Sequence, residues 1–322
     1  MTAGRAATQL DQAVGLPPGL DTQLQELLAP WGGCGRVGPL HPRKANSDSP
    51  YTFLVRDQHD APAVVVRWAC HCSPRAVEQA NGQAIAAREI LGERLGLAVL
   101  TPMIHGVSEG RSYDVRAYHD HLAGSRLSWA IQRIGLREPT ASWLRQVAAK
   151  TVSLASQAEV EAEFVRPLTV LSQDIALSAE VRGAAERAVA DIQYGTWAPR
   201  CVLVHNDFWR GNLLRGSGHP VGGPRRSDLG FVLIDWRGAR IRGHGVYDLV
   251  RLGSSLKFSR RRMWRELVAH SQILGCRPDG CYRDLLAALG HIGLHRRQFA
   301  VERYRELVEV CYRFLKDCGG AP

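Results

Sequence analysis

Val204-His205-Asn206-Asp207-Phe208-Trp209-Arg210-Gly211-Asn212-Leu213-Leu214, followed after a loop by Leu233-Ile234-Asp235-Trp236, is the stretch on which the reading of this chain turns. It places two carboxylates, Asp207 and Asp235, and the amide of Asn212, all hard oxygen donors, at the spacing used to move a phosphoryl group. Moving a phosphoryl group with Mg²⁺ requires a base near the acceptor hydroxyl and two oxygen ligands for the metal. Asp207 suits the first role, and Asn212 and Asp235 suit the second. His-x-Asp-x-x-x-x-Asn alone is a moderate signal. The apolar run Phe231-Val232-Leu233-Ile234 strengthens it, because the charge that ends the run should face a site rather than be buried unpaired.

These residues resemble the catalytic core of the aminoglycoside phosphotransferase and choline kinase family, the small-molecule branch of the protein-kinase-like fold. That family has His-x-Asp-x-x-x-x-Asn in its catalytic loop and Ile-Asp-(Trp/Phe) where protein kinases have Asp-Phe-Gly. Its Tyr-Asp-Leu element is matched by Tyr247-Asp248-Leu249. The resemblance is clear over residues 195–255, weaker back to about residue 45, and beyond 260 only helical character is shared. It implies an α+β, bilobal protein-kinase-like fold: a small antiparallel-sheet N-lobe with one helix, and a larger, mainly helical C-lobe. The expected division is a helical extension over 1–30, a nucleotide-binding N-lobe over 31–124, and a C-lobe over 125–322 with the catalytic loop and acceptor site.

Residue by residue, the resemblance implies Asp207 as catalytic base, with Asn212 (through its carbonyl oxygen) and Asp235 as Mg²⁺ ligands. His205 would pack in the loop and bond backbone, and Asp248 would support the loop. Arg67 stands where protein kinases have Lys and can still bind phosphate through its planar fork. Its expected helix partner is Glu89, with Glu78 and Glu93 as competitors. Gly33-Cys34-Gly35-Arg36-Val37-Gly38 fits Gly-x-Gly-x-x-Gly but lies too far before Arg67, and is read as coil. The phosphate loop is assigned instead to Asn46-Ser47-Asp48-Ser49-Pro50, with Ser47 and Ser49 facing phosphate. Asp120-His121-Leu122-Ala123-Gly124 is read as the hinge, with His121 at the adenine edge. Trp209 replaces a Lys found in protein kinases, and Arg210 is the candidate to compensate. The Gly- and Pro-rich segment 215–230 reads as a disordered insertion or a flap.

Elsewhere, the spacing predicts a short helix near Leu20–Leu28 and a hairpin of Tyr51–Val55 with Ala63–Trp68. It predicts a helix over about 75–95, strands near 103–107 and 112–118, and helices over about 126–135, 140–158 and 178–194. A helical tail follows from about 260 to 317.

The 322 residues carry 45% hydrophobic and 22% charged side chains, as expected of a globular protein with a sizeable core. No apolar run is long enough to span a bilayer and no signal pattern opens the chain, so a cytoplasmic enzyme is expected. The formal charge of +10 rests on scattered Arg without aromatic interleaving, so no nucleic-acid partner is expected. The eight cysteines include one cluster, Cys70-His71-Cys72, but show no zinc spacing.

Three functions compete: a small-molecule kinase, a protein kinase, and a catalytically inactive nucleotide-binding scaffold. The interval from Asp235 to Asp248 leaves no room for an activation segment and no Ala-Pro-Glu follows, which argues against protein substrates. A scaffold has no need of Asp207, Asn212 and Asp235 together. The expectation is therefore transfer of the γ-phosphoryl group of ATP or GTP, with Mg²⁺, to a small-molecule hydroxyl: a sugar, an amino alcohol or an aminoglycoside-like acceptor. The basic balance leans against cationic acceptors, though Glu302, Glu306 and Glu309 could line an acidic pocket.

Overall fold

A computed structural model describes residues 15–40, 49–122, 124–218, 229–295 and 300–319. It divides into two compact units, Met1–Glu89 with Gly96–His121 and Leu214–Arg237, and Ile90–Leu95 with Leu122–Leu213 and Gly238–Pro322. The expected contiguous boundary after residue 124 gives way to an interleaved one, because strand pairing draws Leu214–Arg237 into the first unit.

The first unit is built on a five-stranded antiparallel sheet ordered β1-β2-β3-β5-β4, from β1 (Cys34–Pro39), β2 (Tyr51–Asp57), β3 (Pro62–Trp68), β4 (Ile104–Ser108) and β5 (Arg111–Ala117). Strict alternation gives the sheet two different faces. Phe53, Val55, Val64, Val66, Trp68, Tyr113 and Val115 bury one face against Leu20, Leu24 and Leu28 of α1 (Leu20–Leu28). The first helix is thus part of this core rather than a separate extension. Residues 34–38 of the segment read as coil are also corrected: they lie in β1, paired to β2 with a bulge between Cys34 and Val37. Gly35 permits this, since a Cβ there would lie 2.2 Å from the Asp57 carbonyl oxygen. The residues intermediate in the β3 and β5 alternation, Arg67, Asp114 and Arg116, share the opposite face.

The helix α2 (Ala76–Gly96) follows, and breaks at Gly92 (φ 68°, ψ −171°), a conformation open to glycine. A second sheet in this unit joins β6 (His119–His121), β9 (Leu213–Gly218) and β10 (Phe231–Leu233). Leu233 is clamped to the turn after α2: its N–H donates to the Ala98 carbonyl, and its own carbonyl accepts from Leu100 N–H.

The second unit is mainly helical, with one small antiparallel sheet of β7 (Ser153–Leu154), β8 (Arg200–Val204) and β11 (Arg240–Gly243). Its first long helix, α3 (Arg126–Thr151), runs unbroken through Pro139, where two helices are expected from sequence. Burial of Leu136, Thr140, Trp143, Leu144 and Val147 carries one apolar stripe across the proline, and that packing outweighs the lost backbone bond. The sequence reading passes over the helical run of α4 (Gln157–Glu159), the π turn Val160–Val165 and α5 (Arg166–Gln173). A π turn shifts the phase of the buried face, which erases the period on which such readings rest. The remaining helices are α6 (Ala179–Gln193), α7 (Tyr247–Ser255), α8 (Arg260–Leu274), α9 (Cys281–Leu294) and α10 (Val301–Gly319). Among the described residues, no helix is long and apolar enough to cross a membrane.

Candidate active site

In the second unit the loop that carries Asp207 and Asn212 follows β8, whose residues Cys201–Val204 are buried. A buried carboxylate anchors the loop. Asp248, 1% exposed at the start of α7, accepts the His205 N–H at 2.6 Å. Burial drives the Asp248 carboxyl above the ordinary range, against the opposing pull of His205 and of backbone N–H groups. The His205 ring is itself buried and its Nδ1 accepts the Asp207 N–H at 3.3 Å, so the imidazole braces backbone. Phe208 fills the core beneath, edge-on to Trp143 with ring centroids 5.7 Å apart. Asn206 takes a positive φ of 63°, and its amide donates to the Gly238 carbonyl at 2.9 Å.

This frame turns Asp207 outward, with its side chain 46% exposed. Asn212 Nδ2 donates to Asp207 Oδ2 at 2.8 Å and to the Asp207 carbonyl at 2.9 Å. Both amide hydrogens are so committed, and the Asn212 carbonyl oxygen takes no part in this pairing. Trp209 Nε1 donates to the same Asp207 oxygen at 3.3 Å, and Arg251 NH2 lies 3.5 Å from Oδ1. Gly211 makes room for the indole: a Cβ there would sit 2.4 Å from Trp209 Cζ2. The loop end is tied down by Ser255, whose Oγ accepts the Arg210 N–H at 2.8 Å. Arg251 and Ser255 lie on α7, far along the chain, and sequence reasoning missed them.

In the first unit Arg67 is directly opposite Asp114 in the β3–β5 register. Arg67 donates to both Asp114 oxygens, Nε at 3.0 Å and NH2 at 2.5 Å, and Arg116 Nε donates at 3.0 Å. Asn81 of α2 accepts from Arg116 NH2 at 2.7 Å. The expected pairing of Arg67 with Glu89 is therefore corrected. Glu89 is exposed on α2, and a strand neighbour already in register needs no reach from the helix. Burial opposes ionisation of Asp114, but the two guanidinium groups outweigh it and hold the carboxyl below the usual range. Burial of Arg67 is likewise outweighed by Asp114, which raises the guanidinium. Arg116, disfavoured by burial and by Arg67, falls to about 10 and stays charged at neutral pH. A clue to this cluster exists in the sequence: Asp114 and Arg116 alternate with the apolar Tyr113 and Val115.

Asp235 follows β10 in the same unit. It is exposed, adopts a positive φ of 62°, and its charge is felt by both Arg67 and Arg116. Left-handed backbone is uncommon outside glycine and turns the side chain out of the strand's alternation. The structure thus brings Asp207 to Asn212, and Asp235 to the Arg67 cluster. His121 is exposed on β6, opposite Leu214 of β9. Ser49 is exposed, while Ser47 and residues 219–228 of the expected insertion lie outside the described residues. Among the described residues no cluster of three His, Cys, Asp or Glu side chains is arranged to hold a metal. A site completed by phosphate oxygens and water needs none. Glu309 is engaged elsewhere, accepting the Ser178 N–H at 2.7 Å.

Comparison with solved structures defines the class of fold. Choline kinase LicA from Streptococcus pneumoniae superposes with a TM-score of 0.50, over 92% of this chain and 99% of that one, at 12% identity. The chain thus has the kinase-like fold found in that enzyme, an α+β arrangement of antiparallel sheets and many helices. A choline/ethanolamine kinase family protein from Mesorhizobium loti matches 100% of this chain and 96% of its own, at 15% identity and a TM-score of 0.49. An aminoglycoside-3'-phosphotransferase of type VIII matches 93% and 98%, at 18% identity and a TM-score of 0.40. No protein-family model matches the chain. No curated protein sequence matches it either.

Proposed function

We propose that the protein is a phosphotransferase that moves the γ-phosphoryl group of ATP to a hydroxyl of a small molecule. The observation that carries this reading is the Asp207–Asn212 pair. One short loop holds a solvent-facing carboxylate by an amide whose oxygen is left available for ligation. Asp207 accepts or orients the proton of the attacking hydroxyl. Phosphoryl transfer of loose character needs positioning more than a strong base, so a well-placed carboxylate suffices. The indole of Trp209 and the amide of Asn212 restrict the rotamer of that carboxylate.

On the donor side, Arg67 binds phosphate oxygens. Its fork is pre-set by Asp114, which keeps it charged and oriented. Asn212 and Asp235 are the residues that would hold Mg²⁺. Their fit rests on the Asn212 oxygen left unused by the amide network, and on the outward, exposed Asp235 carboxylate. Bound there, the metal would neutralise charge on the donor phosphates. Ser49 and His121 are proposed nucleotide contacts, and Asp248 and His205 support the loop. The protein is proposed to act in the cytoplasm, where ATP is supplied.

Isothermal titration of ATP with and without Mg²⁺ tests the reading. Metal-dependent binding is expected. If neither ATP nor GTP binds in the presence of Mg²⁺, the phosphotransferase reading fails.

A further inference from the structure

Beside the Asp207 loop, within the second unit, lies a cleft of about 600 Å³. Five of its ten lining residues are cations, Arg126, Arg133, Arg210, Arg251 and Lys257, and none is Asp or Glu. Among the described residues only Arg251 of these five has a carboxylate within ion-pair distance, and that carboxylate is Asp207 itself. The Nε atoms of Arg133 and Arg251 are buried without a hydrogen-bond partner. Gathering like charges in a cleft costs free energy that an arriving anion would recover.

Local structure holds these charges in place. The Arg210 guanidinium sits over the Trp129 ring, 5.1 Å from its centroid. Lys257 adopts a left-handed backbone (φ 51°), and Arg137 pins its turn by donating to the Leu256 and Lys257 carbonyls at 3.1 and 2.6 Å. The cleft touches the reacting end of the loop through Trp209 and Arg251. Both line it and both contact the Asp207 carboxylate.

We infer that this cleft is the acceptor subsite, and that the acceptor is a hydroxyl-bearing small molecule that carries its own anionic group, a phosphate or a carboxylate. The inference rests on the phosphotransferase reading and names its substrate class. Arg126, Arg133 and Lys257 bind the anion, which leaves Arg251 to hold the acceptor end near Asp207. Choline, ethanolamine and polycationic aminoglycosides meet like charge here and are rejected.

The test is acceptor-dependent ADP release with matched compounds: glucose against glucose 6-phosphate, glycerol against glycerol 3-phosphate and glycerate, and choline and kanamycin as cations. At least one anionic member is expected to exceed its neutral partner by 10-fold or more in kcat/KM, and the phosphate and carboxylate arms separate the two sources of charge. Arg133→Gln is expected to raise KM for that compound about 10- to 100-fold with kcat little changed, the loss of one charge-assisted hydrogen bond. Arg133→Lys should recover part of the loss. Calorimetric titration of inorganic phosphate and citrate into wild type and Arg133→Gln reads the cleft independently of turnover. Failure of ATP·Mg²⁺ to bind would sink the phosphotransferase reading instead. Turnover of choline or kanamycin above the anionic compounds, or phosphate and citrate binding absent or untouched by Arg133→Gln, overturns the inference.

Discussion

Replacing Asp114 by Asn probes the donor side of the account most severely. Asp114 is fully buried and accepts three hydrogen bonds from two guanidinium groups. Each charge-assisted bond is worth about 1.5–3 kcal/mol net. Asn keeps the volume and one accepting oxygen, so it retains about one bond and leaves two cations without a counter-charge. Breaking a buried pair in this way costs about 3–5 kcal/mol, a large share of the roughly 5–15 kcal/mol available to a folded domain. The sign with pH is definite. Because the folded carboxyl lies below its ordinary value of 3.8, the stability it contributes is complete above that value and disappears as pH falls through the depressed one. The full effect is therefore present at neutral pH. Urea denaturation followed by Trp fluorescence is a suitable assay, since Trp68 pairs with Tyr113 beside Asp114. A second substitution, Arg116→Met, should recover part of the loss by removing one stranded cation. A loss below about 1 kcal/mol for Asp114→Asn would refute the claim that this carboxylate neutralises the cluster.

Two further perturbations follow from the second unit. Gly211→Ala places a methyl group where Trp209 now lies at 2.4 Å, so the indole must leave Asp207. Turnover should drop about 10-fold or more with little change in ATP affinity, and steady-state kinetics beside calorimetry would expose an unaffected enzyme. Asp284 is buried, its carboxyl pushed up to about 7 by burial against a single N–H from Val246. The folded state keeps this proton after the unfolded chain has lost it. Its contribution is therefore complete below the ordinary 3.8 and is lost as pH rises through about 7, a change of up to roughly 4 kcal/mol. Asp284→Asn should remove that slope from a series of urea titrations between about pH 4 and 8. Parallel curves for the two proteins would show that burial does not govern the group.

The local part of the site was legible because its geometry is local. Asp207 and Asn212 sit five positions apart on one loop, so their spacing nearly determines that they meet. Asp235 was legible as the polar end of an apolar run, but its left-handed backbone and its neighbourhood with Arg67 were not. Glu89 was the wrong partner for Arg67 because the true one, Asp114, comes from a strand register that only topology defines. Pro139 and the π turn at Val160–Val165 misled the helix boundaries through tertiary packing and a shifted phase. The basic cleft was visible only as net charge. Its residues come from three separated stretches, 126–133, 209–210 and 251–257, and folding alone gathers them.

The central claim, that Asp207 accepts or orients the acceptor proton without itself binding the nucleotide, is tested most directly by Asp207→Asn. The substitution preserves shape and the contact with Asn212 while removing the carboxylate. ADP release in the presence of acceptor should fall by 10²-fold or more, while the calorimetric affinity for ATP·Mg²⁺ stays within about threefold of wild type. Turnover surviving at more than about a tenth of wild type would contradict the account.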